Sequence, residues 1–279
     1  MTTLDYVLIG HVTADLKAHQ RVLGGTVSYS ALVARSFGRQ ARILTSCAFC
    51  EPLIGKLSAQ ISLMNVIAKE TSTFENIYEG KQRWQTLHER ADTLTMGHVP
   101  MAWSHAPLVH LAPVADEIDA SLFSGFPNAT IMLTPQGLMR QWDKKGRVSF
   151  KHWCDPTLLK YVHLVVFSKQ DIQAMPAIED EYITHSQHLI VTDGANGGTY
   201  YYQGKAHHYT AFPAQEKDPT GAGDVFATAV LASLPRVNGD IIRAIEVARR
   251  LAAMSVEQVG VTTFTTQQIE TLIQESNPL

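Results

Sequence analysis

The 279-residue chain has little cysteine: Cys47, Cys50 and Cys154 are an odd number and build no disulfide framework, which fits a reducing compartment. No apolar run approaches the ~18 residues that a bilayer span needs. The opening MTTLDYVLIG has no basic region leading into a long apolar stretch. These absences lead us to expect a cytoplasmic chain with no membrane partner. Charge of one sign is also scarce: a formal net charge of -3 and a pI near 6.4 give no basic field to collect a nucleic-acid backbone, so no nucleic-acid partner is expected. Small neutral or anionic ligands remain.

Several catalytic signatures are missing as well. There is no H-E-x-x-H among the twelve histidines, and His207 and His208, adjacent on a strand-like run, point to opposite faces, which argues against a protein-ligated zinc site. No G-x-S-x-G marks a hydrolase nucleophile. None of Gly55-Lys56, Gly80-Lys81 and Gly204-Lys205 is followed by Ser or Thr, so no P-loop is present. Cys47 and Cys50 form a C-x-x-C, but it follows an apolar run and leads into Glu51-Pro52 instead of opening a helix. With Cys154 far away, we read all three as thiols without chemistry.

A chain that is 45% hydrophobic and 18% charged can bury a large core. Short β-rich runs (6–9, 42–48, 108–112, 130–133, 164–167 and 189–192) alternate with helical spacing at 27–37, 226–234 and 241–256. That order predicts an α/β fold, a doubly wound and mostly parallel sheet with helices on both faces. Residues 71–94 break the rhythm and read as two strands about Glu79-Gly80-Lys81, either a small β flap or an ordinary edge hairpin. The segments 142–148 and 200–208 carry turn chemistry and read as surface hairpins. No linker or repeat divides the chain, so we take 1–279 as one domain.

The stretch Lys217–Ala229, KDPTGAGDVFATA, carries the chemistry. Two glycines running into a helix free the backbone so that the amides of Gly221, Ala222 and Gly223 can point at one spot, at the positive end of the helix dipole, and hold an anion. Asp224 would then stand beside that anion hole as a carboxylate able to take a proton from an attacking hydroxyl. A plain glycine turn opening a helix is the alternative. A dinucleotide fingerprint is not, because Phe226 stands where its third glycine belongs.

Asp218-Pro-Thr-Gly-Ala-Gly-Asp224 resembles the C-terminal signature of the ribokinase-like (PfkB-type) carbohydrate kinases. Further stretches resemble the same family in order: Gly10 to Asp15, Gly24-Gly25, Val191-Thr-Asp-Gly194-Ala-Asn-Gly197 and Met254–Gly260. The resemblance implies a ribokinase-like α/β domain with a small β lid, formed here by about 11–26 and 71–95. It implies an ATP- and Mg²⁺-dependent kinase acting on a hydroxyl of a small sugar or polyol, and leaves room for a monovalent cation. Asp224 would be the base. Asp15, Gly24 and Gly25 would bind the acceptor, although Asp15 alone also reads as a solvated loop acid. Thr192, Gly194, Gly197 and Thr220 would bind the nucleotide. Gln136 and Arg140, in TPQGLMR, either line the acceptor pocket or belong to a turn with an exposed Arg. Two positions depart from the family: Tyr29 replaces its usual Asn, and Ser168-Lys-Gln-Asp171 replaces its N-x-x-E, leaving Asp171 to meet Mg²⁺ through water. Pro219, Gly24-Gly-Thr-Val-Ser-Tyr-Ser and Ser255-Val-Glu-Gln-Val-Gly260 resemble the plant myo-inositol kinases, which suggests a cyclitol. A nucleoside kinase and a catalytically silent sugar- or nucleotide-binding sensor stay open as alternatives, and so does the choice between monomer and homodimer.

Overall fold

The computed structural model describes residues 5–17, 20–79, 82–260 and 262–276. Strand β1 (Tyr6–Ile9) is followed by β2 (Thr13–Lys17), β3 (Gln20–Gly24), helix α1 (Thr26–Ser36), β4 (Ala41–Ala48), α2 (Pro52–Ser58), β5 (Ser62–Ala68), β6 (Thr73–Glu79) and β7 (Gln82–Glu89). Next come β8 (Leu108–Leu111), α3 (Ser121–Ser124), β9 (Thr130–Leu133), the hairpin β10 (Arg140–Trp142) and β11 (Val148–Phe150), α4 (Pro156–Leu159), β12 (Leu164–Ser168) and α5 (Ile178–His185). The chain closes with β13 (His188–Thr192), β14 (Gly198–Tyr202), β15 (Lys205–Tyr209), α6 (Ala222–Ser233), α7 (Ile241–Val256) and α8 (Thr266–Glu275).

Nine strands form the main sheet in the order β15-β14-β13-β12-β9-β8-β1-β4-β5. The seven from β13 to β5 run parallel, while β14 and β15 continue the sheet antiparallel. Parallel strands buried on both faces need apolar residues at every position, and β1 supplies them. Tyr6 and Leu8 enter the core under α1, α6 and α7, whereas Val7 and Ile9 enter the opposite core beside α3 and α5. Each such fully buried aliphatic side chain is worth about 1.5–3 kcal/mol. The doubly wound fold expected from the sequence is therefore present. The stretch 200–208 is not a free-standing surface hairpin, however: β14 pairs with β13 over five residues, so β14 and β15 form one edge of the main sheet.

The strand order reverses between β1 and β8. Loops leaving the carboxyl ends of two neighbouring strands diverge at such a point and leave a crevice. Above it stands a second sheet, β3-β2-β6-β7, in which β2 pairs with β3 antiparallel and with β6 parallel. This is the small β lid. Its strands lie within 13–24 and 73–89, inside the expected 11–26 and 71–95, while Gly80 and Lys81 of the expected turn are outside the described residues. Among the described residues no helix is long and apolar enough to cross a membrane.

Candidate active site

Helix α6 is buried from Val225 to Ser233, because its apolar residues face the sheet on one side and α7 on the other. A helix held on all sides presents its first turn rigidly. Its N-cap is Gly221, in the left-handed conformation with φ 83°. The Asp218 carboxylate anchors the loop before it by accepting from the amides of Thr220 (3.0 Å) and Gly260 (3.2 Å). Burial would raise the Asp218 pKa, but the hydroxyl and amide of Thr220 and the Gly260 amide outweigh it and hold the carboxyl below its ordinary value. Thr220 thus serves the loop's own geometry. The Ala222 amide donates to Pro219 O at 3.2 Å, so its expected place in the anion hole is taken. Among the described residues the amides of Gly221, Gly223 and Asp224 have no protein acceptor, and they open at the dipole's positive end.

Asp224 lies in the first turn of α6, half-buried. Burial raises its pKa to about 6, the Thr26 hydroxyl works against the rise, Asp171 adds to it, Arg140 opposes it and Asp15 adds again. These influences show which residues the fold brings together: Asp15, Thr26, Arg140, Asp171 and Asp224 converge from the lid, α1, β10, the end of β12 and α6. Asp15 is a residue of β2 in the lid sheet, paired opposite Val22 of β3 and Phe74 of β6, and is therefore not a loop acid. Its carboxylate accepts from the Thr13 hydroxyl (3.2 Å). It also occupies space that a side chain at Gly24 would take, since a Cβ there would fall 2.6 Å from Asp15 Oδ2. Gly25 caps α1.

Gln136 lies in the turn between β9 and the β10–β11 hairpin, and Arg140, the first residue of β10, is half-buried instead of exposed. Gln136 Nε2 donates to Asp171 Oδ1 (2.9 Å), while the Ser168 amide (2.9 Å) and hydroxyl (2.8 Å) donate to Oδ2. Arg140 donates to Val114 O (2.9 Å), and its guanidinium lies 5.6 Å from the ring centre of Phe74 in the lid. No group of three or more His, Cys, Asp or Glu among the described residues is disposed to hold a metal ion directly. Asp171, already engaged by three protein donors, fits an ion that keeps its own water shell.

The expected nucleotide loop leaves the carboxyl end of β13, the same end of the sheet from which the β1, β8 and β12 loops depart. Thr192 closes β13 with its hydroxyl turned toward Phe167 O (3.5 Å). Gly194 and Gly197 both have positive φ, and a Cβ at Gly197 would strike Tyr209 O at 2.0 Å. An open cleft of about 280 Å³ adjoins this loop, lined by Lys169, Asp193, Asn196 and Tyr209 among others. Burial pushes Cys47 and Cys154 up to about 11, which suits inert side chains.

Residues 150–268 match the model of the pfkB family carbohydrate kinases. A solved pyrophosphate-dependent kinase in the ribokinase family superposes with a TM-score of 0.80 at 18% identity, over 95% of this chain and 99% of that one. Ribokinase from Arabidopsis thaliana, complexed with ribose and ATP, gives 0.74 at 15% identity, over 98% and 99%. The fold is ribokinase-like. Within curated sequences, inositol 3-kinase of Zea mays is 31% identical over 139 residues. That stretch takes in 48% of this chain and 35% of the maize protein.

The ribokinase-like frame brings in residues that sequence reasoning passed over. Thr26, the first residue of α1 after the glycine pair, reaches Asp224 from a second helix N-terminus. Glu117, fully buried, accepts from the amides of His11 (2.8 Å), Val114 (2.9 Å) and Ala115 (2.6 Å), tying the exits of β1 and β8 together. His11 Nε2 lies 2.8 Å from Asp92 O, which can only accept, so Nδ1 accepts from the Ser72 hydroxyl (2.7 Å). This neutral imidazole, its pKa lowered by burial, joins the two chain segments that enter and leave the lid. Glu117 lies five residues past the β-rich run 108–112, a position that carries no signal by itself. His11 lies within the singled-out stretch Gly10 to Asp15, but nothing there marked its own role.

Proposed function

We propose that the chain is an ATP-dependent phosphotransferase that phosphorylates a hydroxyl of a small sugar or polyol, with an inositol as the first acceptor to test. One observation carries this reading: a carboxylate with a pKa near 6 stands in the first turn of α6, beside unpaired amides and opposite the lid carboxylate of Asp15. In this reading Asp15 accepts hydrogen bonds from acceptor hydroxyls, and Arg140 and Gln136 close the same pocket. Asp224 takes the proton of the attacking hydroxyl. A new O–P bond forms as the bond from the transferred phosphorus to the donor's leaving oxygen breaks. The amides of Gly221, Gly223 and Asp224 face the charge on the transferred group. Mg²⁺, facing Asp171 through water, would neutralise charge on the donor phosphates. The lid covers the acceptor and keeps water from competing for the phosphoryl group. Residues 1–279 act as one catalytic domain with a lid, placed in the cytoplasm beside its ATP.

The donor has a second reading. A pyrophosphate-dependent kinase with the same fold, and an open donor cleft beside Gly197, support inorganic pyrophosphate in place of ATP. The test is phosphate transfer by wild type and Asp224→Asn with ATP or pyrophosphate, over a panel of inositols, pentoses, hexoses and nucleosides. The kinase reading expects turnover of one acceptor class, lost in Asp224→Asn. Donor binding without transfer to any acceptor would favour a silent sensor, and preference for a nucleoside would change the substrate class.

A further inference from the structure

Tyr29 stands at the fourth position of α1, one turn beyond the glycine pair, and is only 8% exposed although it borders the crevice. Its ring lies on Gly221, the cap of α6: a Cβ built there would fall 2.5 Å from Cδ1, 2.7 Å from Cε1 and 3.0 Å from Cγ. Two constraints therefore meet at Gly221, a left-handed φ and a ring covering its α-carbon. A glycine is free to take many backbone conformations, so what packs against it decides which one is held. The Asp218 bonds fix the loop on one side of Gly221, and the α6 core fixes the other. Over the glycine itself, the three atoms nearest to a built Cβ all belong to the Tyr29 ring. Its phenol end feels Asp224, Asp15 and Asp218, and burial together with these carboxylates raises its pKa well above the ordinary tyrosine value. The hydroxyl therefore stays protonated.

We propose that Tyr29 is a positioning residue whose ring holds Gly221 in the left-handed cap that aims the first amides of α6 at the transferred phosphoryl group. The proposal rests on the phosphotransferase reading, but its effect is on anion binding and can be read without turnover. The ring carries the role and the hydroxyl does not.

The experiment measures pyrophosphate binding by calorimetry, with kcat and both KM values, for wild type, Tyr29→Phe and Tyr29→Leu. We expect Tyr29→Phe to bind pyrophosphate within ~2-fold of wild type. Tyr29→Leu, folded by circular dichroism, should bind it ~10-fold more weakly, equivalent to about 1.4 kcal/mol. Its kcat should fall with donor affinity, while the acceptor KM moves less than ~3-fold. A merely structural role would lower the melting temperature and leave pyrophosphate affinity unchanged, and that result overturns the proposal. If Tyr29→Leu does not fold, Tyr29→Met, which fills similar volume without a flat face, takes its place under the same expectations. A wild type that binds pyrophosphate but transfers phosphate to no acceptor would sink the kinase reading, while the variants would still decide Tyr29. If wild type binds ATP and not pyrophosphate, the same affinities are read with ATP, and a wild type that binds neither overturns the proposal outright.

Discussion

The two ends of the candidate site are built differently. Around Asp224, two neighbours are held by partly buried protein contacts, Asp171 by three donors and Arg140 by Val114 O, and the strand exits at the proposed acceptor end are held by the buried Glu117 carboxylate. At the donor end the loop after β13 is shaped by backbone conformation, borders an open cleft, and carries an exposed pair, Lys169 to Asp193, at 3.9 Å. Low-dielectric surroundings strengthen electrostatic contacts and exact a penalty when one is broken, whereas exposed charges are screened. The acceptor end should therefore govern rate and pH response, and the donor end should govern affinity in smaller steps.

The largest effect expected is at Asp224. Replacing it with Asn should lower kcat by roughly 10²–10⁴-fold while donor binding persists. The proposed base acts in its ionised form, so with a pKa near 6 this reading expects kcat/KM in wild type to rise with pH up to about 6 and level off above it. The stability sign runs the other way. The folded pKa lies above that of the unfolded chain, so the penalty for ionisation develops as pH rises from about 4 to 6 and is full above that. Asp224→Asn should consequently melt higher than wild type at pH 8 and gain nothing at pH 3.5. Equal melting temperatures at both pH values would mean that the carboxylate is not desolvated, and the contrast between the two ends would lose its main support.

Next in size is Glu117→Gln. Three amides from two strand exits share this buried carboxylate, and an amide side chain brings one acceptor and an unwanted donor. A loss of about 1–3 kcal/mol is expected, which lowers the melting temperature by about 2–4 °C per kcal/mol. If the contrast holds, the acceptor KM should rise with little change in donor affinity. A rise confined to donor KM would show that the exits of β1 and β8 serve the other end of the site.

The sequence displayed the acceptor end less completely than the fold. The parallel strands were legible because burial on both faces leaves nearly continuous apolar runs such as YVLI and LVVF, and α7 because its apolar residues recur at helical spacing. The edge strand β5 was not, since SLMNVIA pairs only with β4 and leaves Met64 and Ile67 exposed, without the pattern of a buried strand. Helix α8 also escaped: it buries only Ile269 and Ile273, although Thr265 and Gln268 form a capping box that could have marked its start. Asp224 and the glycine loop could be read because they are consecutive. Thr26, His11 and Glu117 could not, because their partners lie on other elements and become neighbours only when the strand order reverses between β1 and β8.

Two substitutions at the donor loop sharpen the contrast. In Gly197→Ala the new Cβ would meet Tyr209 O, at a residue whose φ is 93°. A cost of about 1–3 kcal/mol and an increase of ~10-fold in donor KM are expected. Gly194→Ala, with φ 52° and nothing within 4 Å of the new Cβ, should cost only about 1–2 kcal/mol and leave donor KM nearly unchanged. Equal effects at the two glycines would mean that the loop's shape does not place the donor.

The smallest effect expected is at Lys169. Its ammonium lies 3.9 Å from Asp193, with the two side chains 52% and 37% exposed, so the pair contributes at most about 1 kcal/mol to stability. Lys169→Ala should leave the melting temperature within about 2 °C of wild type and raise donor KM by less than ~3-fold, with the difference vanishing at high salt. A loss of ~10-fold or more that survives high salt would mean that the cleft desolvates a donor phosphate against Lys169. The donor end would then depend on fixed charge as the acceptor end does, and the division between rate at one end and affinity at the other would fail.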